Sequence, residues 1–217
     1  MIQVVGIAAI VGYIDSNHSR ERELGMTTAI AAVASVADAL LTVEEFAQRP
    51  ESQFGSREEL VKGVVQEMPM PSFRHGKLQL RVGRMLAEFV DRQALGHVAT
   101  ETGVITALDP DTVRGPDVAF WSKERLPLDA HVEVYPDVAP DLCVEIRSPE
   151  ERSKRVRTKL CEYFACGVRM VWVIDPEAQS VTVYRQADEG RVLWENATLS
   201  GEDVLPEFSC RVSDLFA

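Results

Sequence analysis

Residues 141–175, DLCVEIRSPEERSKRVRTKLCEYFACGVRMVWVID, carry the pattern that predicts the fold class. The stretch begins as an apolar strand and continues with apolar residues at helical spacing, among them Leu160 and Tyr163. Gly167 then ends the helix, and VRMVWVI follows as a buried strand. Strand, helix and strand in this order predict a βαβ unit with a right-handed crossover. The chain is therefore predicted to be an α/β protein with a central mixed sheet and flanking helices.

The segments on either side add short strands and one long helix. A capping box formed by Thr42 and Glu45 predicts a short helix that ends near Pro50. Apolar spacing predicts a helix over residues 75–93, with Gly96 as its terminator. A turn is predicted at Lys62-Gly63, after a segment that is either extended or helical. Strands are predicted in 64–68, 97–108 and 117–121, and an edge-type strand at 181–186. The stretch 109–116 is rich in turn residues.

Composition limits the class of protein. The 217 residues are 46% hydrophobic and 26% charged, which is typical of a soluble globular protein. A net charge of −11 argues against a general nucleic-acid coat, because extended phosphate binding needs a broad positive surface. It leaves room for a small basic patch, and one basic run follows the first strand of the βαβ unit. Its members are Arg152, Lys154, Arg155, Arg157 and Lys159.

Residues 1–41 are predicted to be an N-terminal extension of unknown role, and residues 42–217 the folded domain. The first fourteen residues are apolar but too short to span a bilayer, and they lack the positive start of a secretory signal. The four cysteines have no zinc-like spacing, so we interpret them as reduced thiols. These features favour a cytoplasmic protein without a membrane partner.

Two carboxylates stand in apolar runs, Asp117 before VAFW and Glu145 between Val144 and Ile146. A carboxylate in a strand is costly to desolvate unless a cation, a metal or an exposed face accommodates it. Alternation along the strand places Glu145 on the more polar face, beside Arg147. Asp117 follows a proline at a strand end, where water can enter. If the two strands pair, the carboxylates converge on one point, and such oxygen ligands suit Mg²⁺.

The helix of the βαβ unit contributes a lysine to the same region. Because a crossover helix packs back on its sheet, Lys159 could reach Glu145 over the sheet edge. An ammonium group there could orient a metal-bound water or stabilise charge on a phosphoryl transition state. Single residues have simpler explanations, since a strand carboxylate is often an ion-pair partner and a helix lysine is usually solvated. The residues alone leave both readings open.

Several motifs together resemble the Uma-type restriction endonuclease family of the PD-(D/E)xK nuclease superfamily. They are ELVKGVVQEMPMPSFRHG, TVRGPDVAF, PDLCVEIRSPEERSKRVRTKLCEYFACGVRMVWVIDP and VTVYR, and they span about residues 42–216. The resemblance implies a restriction-endonuclease-like core in which Asp117 and Glu145 bind metal. It also implies that Glu59 adds a third acid, and that Lys159 replaces a lysine usually found on the strand. His75 matches a family histidine that could contact a phosphate or a carboxylate.

The chain departs from the family pattern at three positions. Arg147 stands where the superfamily usually has lysine, and an arginine cannot act as a general base. Lys62 stands where the family commonly has an acid, and Gly115 where it commonly has a larger apolar residue. None of the three belongs to the metal-binding set.

These observations lead to one functional hypothesis. The chain is predicted to be a nuclease that depends on Mg²⁺, with Mn²⁺ as a possible substitute, and hydrolyses phosphodiester bonds in double-stranded DNA. Asp117, Glu145, Glu59 and Lys159 form the catalytic set, and no organic cofactor is expected. Arg147, Arg155 and His75 are predicted to contact phosphate. A catalytically silent scaffold with the same fold and a structure-specific RNase remain alternatives, and cutting both strands of a duplex would favour a homodimer.

Overall fold

The computed structural model describes residues 40–50, 57–148 and 153–217. The predicted extension lies outside these residues, except for Leu40 and Leu41. The described helices are α1 (Val43–Ala47), α2 (Phe73–Gln93), α3 (Ser153–Cys166) and α4 (Val212–Phe216). The strands are β1 (Arg57–Val61), β2 (Val64–Met68), β3 (Gly96–Thr100), β4 (Val104–Ala107), β5 (Thr112–Arg114), β6 (Val118–Ser122), β7 (Leu142–Ile146), β8 (Met170–Asp175), β9 (Ser180–Gln186), β10 (Glu189–Leu193), β11 (Thr198–Ser200) and β12 (Ser209–Arg211).

The central sheet has six strands in the order β10-β9-β8-β7-β6-β3. Strands β7 and β8 pair in parallel and are joined by α3, whereas the other neighbours are antiparallel. The predicted βαβ unit and mixed sheet are therefore confirmed. A second sheet of four strands has the order β2-β1-β5-β4, and β11 pairs with β12. The four-stranded sheet matters because it carries part of the site.

Helices cover both faces of the central sheet. Leu142, Val144 and Ile146 of β7 belong to the core on the side of α2, together with Leu86 of that helix. The intervening Cys143 belongs to a second core with Leu160 and Tyr163 of α3. Alternation along β7 therefore points Glu145 towards α3. The face predicted to be polar is covered by a helix, which explains why Glu145 is buried.

The segment before Lys62, predicted to be either extended or helical, is the first strand of the hairpin β1–β2. Its residues are extended, and the turn at Lys62-Gly63 is confirmed by positive φ angles of 53° and 75°. Two successive residues with positive φ give the turn a twist that matches the twist of the strands it joins. Glu59 therefore lies on a paired strand, opposite Gln66.

Gly96 does not terminate α2, contrary to the prediction. The left-handed cap is Ala94, with φ 48° and ψ 52°, and its amide donates to carbonyl oxygens of the last helical turn. Gly96 begins β3 instead, where a Cβ would lie 1.9 Å from the carbonyl oxygen of Trp121. The glycine is thus required by close backbone approach to β6.

Two further predictions about strands are wrong. The stretch 109–116 is not only a turn, because it contains β5, whose three residues are all buried. The strand at 181–186 is not an edge strand, since β9 lies between β8 and β10. Strands β10, β11 and β12 and helix α4 were not predicted, because each has five residues or fewer and is too short for a periodic pattern. Among the described helices, none combines the length and the apolar character needed to cross a membrane.

Candidate active site

Asp117 lies immediately before β6, where this strand pairs with β7. The backbone amide of Ile146 donates a 2.6 Å hydrogen bond to Oδ2 of Asp117, which holds the carboxylate beside the end of β7. Its other oxygen, Oδ1, lies 3.0 Å from both Nη1 of Arg57 and Nε2 of His75. The sequence placed Asp117 where water enters, but the side chain is buried because α2 and Arg57 cover it.

Glu145 and Lys159 form a buried pair between β7 and α3. The Nζ atom of Lys159 lies 3.0 Å from each carboxylate oxygen of Glu145. The hydroxyl group of Tyr163, one turn further along α3, donates a 2.6 Å hydrogen bond to Oε1 of the same carboxylate. The predicted reach of Lys159 towards Glu145 is therefore observed.

Glu59 comes from the four-stranded sheet and meets the same lysine. Its Oε1 atom lies 3.0 Å from Nζ of Lys159, and its Oε2 atom accepts a 2.9 Å hydrogen bond from Arg114 of β5. Arg114 also binds Glu162 of α3 through two hydrogen bonds of 2.6 and 3.0 Å. This two-point contact fixes the plane of the guanidinium group and connects β5 to α3.

Three of the four predicted catalytic residues, Glu59, Glu145 and Lys159, are in direct contact, Asp117 lies at the start of the neighbouring strand, and all four are buried. The exposed fractions are 2% for Glu59, 3% for Asp117, 7% for Glu145 and 4% for Lys159. The ammonium group of Lys159 lies between two carboxylates, and Asp117 sits one strand away. In the described part of the chain, the cluster is closed by its own ion pairs.

The pKa values follow from this burial and from the neighbouring charges. Burial raises the pKa of Glu145 to about 7, although the charge of Lys159 opposes the shift. Burial alone would also raise the pKa of Asp117, but the hydrogen bond and charge of His75, the amide of Ile146 and the charge of Arg57 bring it below its usual value.

The pKa of Lys159 bears on its chemical role. Burial works to lower this pKa, but the charges of Glu145 and Glu59 outweigh burial and raise it. Lys159 is therefore a permanent cation at neutral pH. It can donate hydrogen bonds and stabilise negative charge, but it cannot accept a proton from water.

The donor atoms fit a hard cation in chemical type. Asp117, Glu145 and Glu59 offer six carboxylate oxygens, the ligand class that Mg²⁺ prefers. Among the described residues, however, no group of three or more acidic, histidine or cysteine side chains has the arrangement of a formed metal site. The reason is visible in the contacts, since basic side chains hold the carboxylates. A cation would bind to these acids by displacing an ion pair.

The three predicted phosphate-binding residues lie around the cluster, each with a protein partner. Nη1 of Arg147 lies 2.6 Å from Oδ2 of Asp175, and Nη2 of Arg155 lies 3.6 Å from Oε2 of Glu59. Both arginine side chains are 37% exposed, so they remain accessible to an anion. His75 contacts the carboxylate of Asp117, which is the second of its two expected partners. Phosphate binding by the three stays a prediction.

Three residues of the cluster were not predicted from the sequence to belong to the site. Arg57 shares a strand face with Glu59, two positions away, and this R-x-E spacing is the signal that could have identified it. Arg114 was hidden in a stretch interpreted as a turn. Tyr163 follows Lys159 by four positions, which places the two on one helix face, but we interpreted it as core packing only. Glu162, next to Tyr163 on α3, binds Arg114.

Arg57 provides a test of the ion pairs that close the site. Its Nη1 atom lies 3.0 Å from Asp117, so its positive charge opposes the binding of another cation to the same carboxylate. Arg57→Gln is therefore expected to raise the affinity for Mg²⁺ by about tenfold, as expected for removing one unit charge at short range. Calorimetric titration measures the change. Arg49→Gln, in which the lost ion pair is exposed and contacts Glu58, is the matched control. Weaker Mg²⁺ binding in Arg57→Gln would contradict the competition.

Comparison with known proteins places the chain among nucleases. Residues 43–213 match the Uma2 family, described as "Putative restriction endonuclease". The solved structure of a protein from Anabaena variabilis, described as a putative nuclease belonging to DUF820, is similar at 26% identity with a TM-score of 0.69. The match covers 81% of this chain and 97% of that one. No curated protein matches the chain. Because the match extends over most of its length, the chain belongs to the Uma2 family.

Proposed function

We propose that this protein is a Mg²⁺-dependent nuclease that hydrolyses phosphodiester bonds in DNA. The observation that carries the proposal is the contact of Lys159 with both Glu59 and Glu145, beside Asp117 at the start of the neighbouring strand. Membership of a restriction endonuclease family and the nuclease neighbour support the reaction class. The cation and the substrate are inferred from the chemistry of the site.

Asp117 and Glu145, with Glu59, would hold the cation. When bound, a divalent cation supplies a Lewis acid for the phosphate and lowers the pKa of water. Lys159 contributes a fixed positive charge beside the scissile phosphate, because its raised pKa keeps it protonated. Tyr163 and Arg114 orient the carboxylates of Glu145 and Glu59 by donating hydrogen bonds to them.

The half-exposed arginines complete the proposed site. Arg147 and Arg155 each have a guanidinium group that can bind two phosphate oxygens. Arg155 contacts Glu59 of the buried cluster, and Arg147 follows Glu145 by two positions and pairs with Asp175. His75 would change partner from Asp117 to phosphate when a metal takes the carboxylate. The hydrogen bond to Asp117 raises the pKa of His75. A phosphate oxygen would take the place of that carboxylate as the negatively charged partner of the ring.

Cleavage of a plasmid with and without divalent cations tests the proposal. We expect nicked and linear products with Mg²⁺ or Mn²⁺ and intact plasmid in EDTA. A linear product formed early would support a dimer that cuts both strands, whereas accumulation of nicked plasmid would support cutting of one strand at a time. Equal cleavage with and without chelator would exclude the metal-dependent mechanism. A parallel reaction with RNA shows whether the protein cleaves RNA in place of DNA.

One observation favours a second function, a protein that keeps the nuclease fold and binds without cutting. Each acid of the cluster already has a basic partner, so the site is electrically compensated by the protein itself. Such compensation is also what a structural ion-pair network would have. Calorimetric titration with Mn²⁺ separates the two functions, because a silent scaffold is expected to give no heat above the dilution control.

A further inference from the structure

The first two thirds of α2 carry a positively charged surface with no acidic residue. Residues 73–87 contain Arg74, Lys77, Arg81 and Arg84 and no acidic residue, in a chain of net charge −11. Cations near a helix N-terminus oppose the helix dipole, so this distribution does not serve the stability of the helix. In the described part of the chain, no carboxylate lies within ion-pair distance of Arg74 or Lys77.

The same helix exposes large apolar side chains between these cations. Phe73 is 88% exposed and Leu80 is 71% exposed. They lie seven positions apart, which places them on one helix face, with Gly76 and Lys77 between them. We call this set, Phe73, Gly76, Lys77 and Leu80, the α2 face. Isolated exposed hydrophobic residues need no explanation, but here they alternate with a cation along one stripe.

Gly76 adds an independent observation. A Cβ atom at this position would have no atom within 4 Å, so nothing in the described fold requires glycine. Glycine inside a helix costs about 1 kcal/mol relative to alanine. A glycine in open surroundings lets the backbone of another chain approach closely.

Helix α2 borders the candidate active site with the side opposite to the α2 face. His75 and Gln79 point inward from the same turns and contact the side chain and the carbonyl oxygen of Asp117, each at 3.0–3.1 Å. Arg74 donates a hydrogen bond to the carbonyl oxygen of Pro176, directly after β8. The first turn of α2 is thus the wall of the cluster, and its outer side is the α2 face.

We propose that a nucleic-acid strand lies along the α2 face. Its backbone passes over Gly76, Lys77 and Arg74 bind its phosphates, and Phe73 stacks on an unpaired base. Alternating cations and an exposed aromatic ring are the two features that single-stranded nucleic acid recognises, because they match its phosphates and its bases. This inference rests on the proposed function and adds the substrate class, a strand with at least one unpaired base.

Binding measured in EDTA, where metal-dependent cleavage does not occur, tests the inference. Fluorescence anisotropy with a labelled single strand and the matching duplex is measured for wild type and variants of the full chain. Phe73→Ala is expected to weaken single-strand binding by about tenfold and duplex binding less, because stacking needs an unpaired base. Lys77→Glu should weaken both and reduce the slope of log affinity against log salt by about one or more.

Gly76→Gln tests the α2 face most directly, because the open space around position 76 lets the protein fold with the added side chain. It should keep or raise the thermal midpoint and still weaken binding several-fold. Trp194→Ala, which removes another exposed aromatic ring after β10, and Lys123→Glu, beyond the end of β6 opposite Asp117, are the matched controls. Unchanged affinity in the three α2 variants would overturn the inference. So would a loss of self-association in sedimentation without loss of binding, since the face would then be covered by a second copy.

Cleavage and binding measurements distinguish a failure of the proposed nuclease activity from a failure of the proposed binding by the α2 face. If wild type cleaves DNA with Mg²⁺ but the α2 variants bind normally, only the docking surface is wrong. If the variants lose binding while no cation supports cleavage by wild type, only the nuclease activity is wrong.

Discussion

Asp117→Asn is expected to lower Mg²⁺-dependent cleavage by at least about a hundredfold while the protein stays folded. Asparagine has the same shape and still accepts the hydrogen bond from Ile146, but it removes the charge that a hard cation needs. Glu145→Gln should act in the same way on the neighbouring strand. Loss of one oriented charge in a buried site commonly costs this much in rate. The measurement is single-turnover cleavage, with the thermal midpoint as the test of folding.

Asp137→Asn, which removes an exposed carboxylate, is the matched control and should cleave like wild type. Cleavage at the wild-type rate in both Asp117→Asn and Glu145→Gln would remove these acids from the active site. The metal-dependent mechanism would then have no ligands.

Lys159→Met is expected to destabilise the fold by about 3 kcal/mol in EDTA. The lysine neutralises Glu59 and Glu145 at 3.0 Å each, and removal of one partner from a buried ion pair leaves uncompensated charge. Methionine preserves the volume, so the loss reports on charge and not on packing. Addition of Mg²⁺ should restore part of the stability, because a cation bound by the same acids replaces the missing ammonium group.

Urea unfolding with and without Mg²⁺ measures both effects. Lys154→Met, on the exposed side of the same helix, is the control and should change neither quantity. A Lys159→Met protein that is destabilised but indifferent to Mg²⁺ would mean that the acids form a structural network. That outcome would favour the silent scaffold.

The sequence was most informative where local pattern and tertiary structure agree. The βαβ unit could be predicted because its strands are continuously apolar and its helix has a clear inward face. The same alternation placed Glu145 and Lys159 near each other. Helix spacing likewise predicted α2, with its start two residues too late, because Phe73 is exposed and outside the apolar pattern.

The rest of the site could not be predicted because it depends on pairing between distant segments. Arg57 meets Asp117 across 60 positions, and Arg114 meets Glu162 across 48. Strand β5 has only three residues and lies between Pro110 and Pro116, so its pattern is too short to recognise. Arginine in a strand has no periodic signature either, since its partners decide whether it is buried.

The residues of the cluster come from both the four-stranded sheet and the central sheet. The hairpin β1–β2 supplies Arg57 and Glu59, whereas the central sheet supplies Asp117 and Glu145. A change confined to the hairpin can therefore alter one acid and its competing cation while the main scaffold keeps its pairing. Substitutions in the hairpin could therefore change the affinity for the cation while the central sheet stays the same.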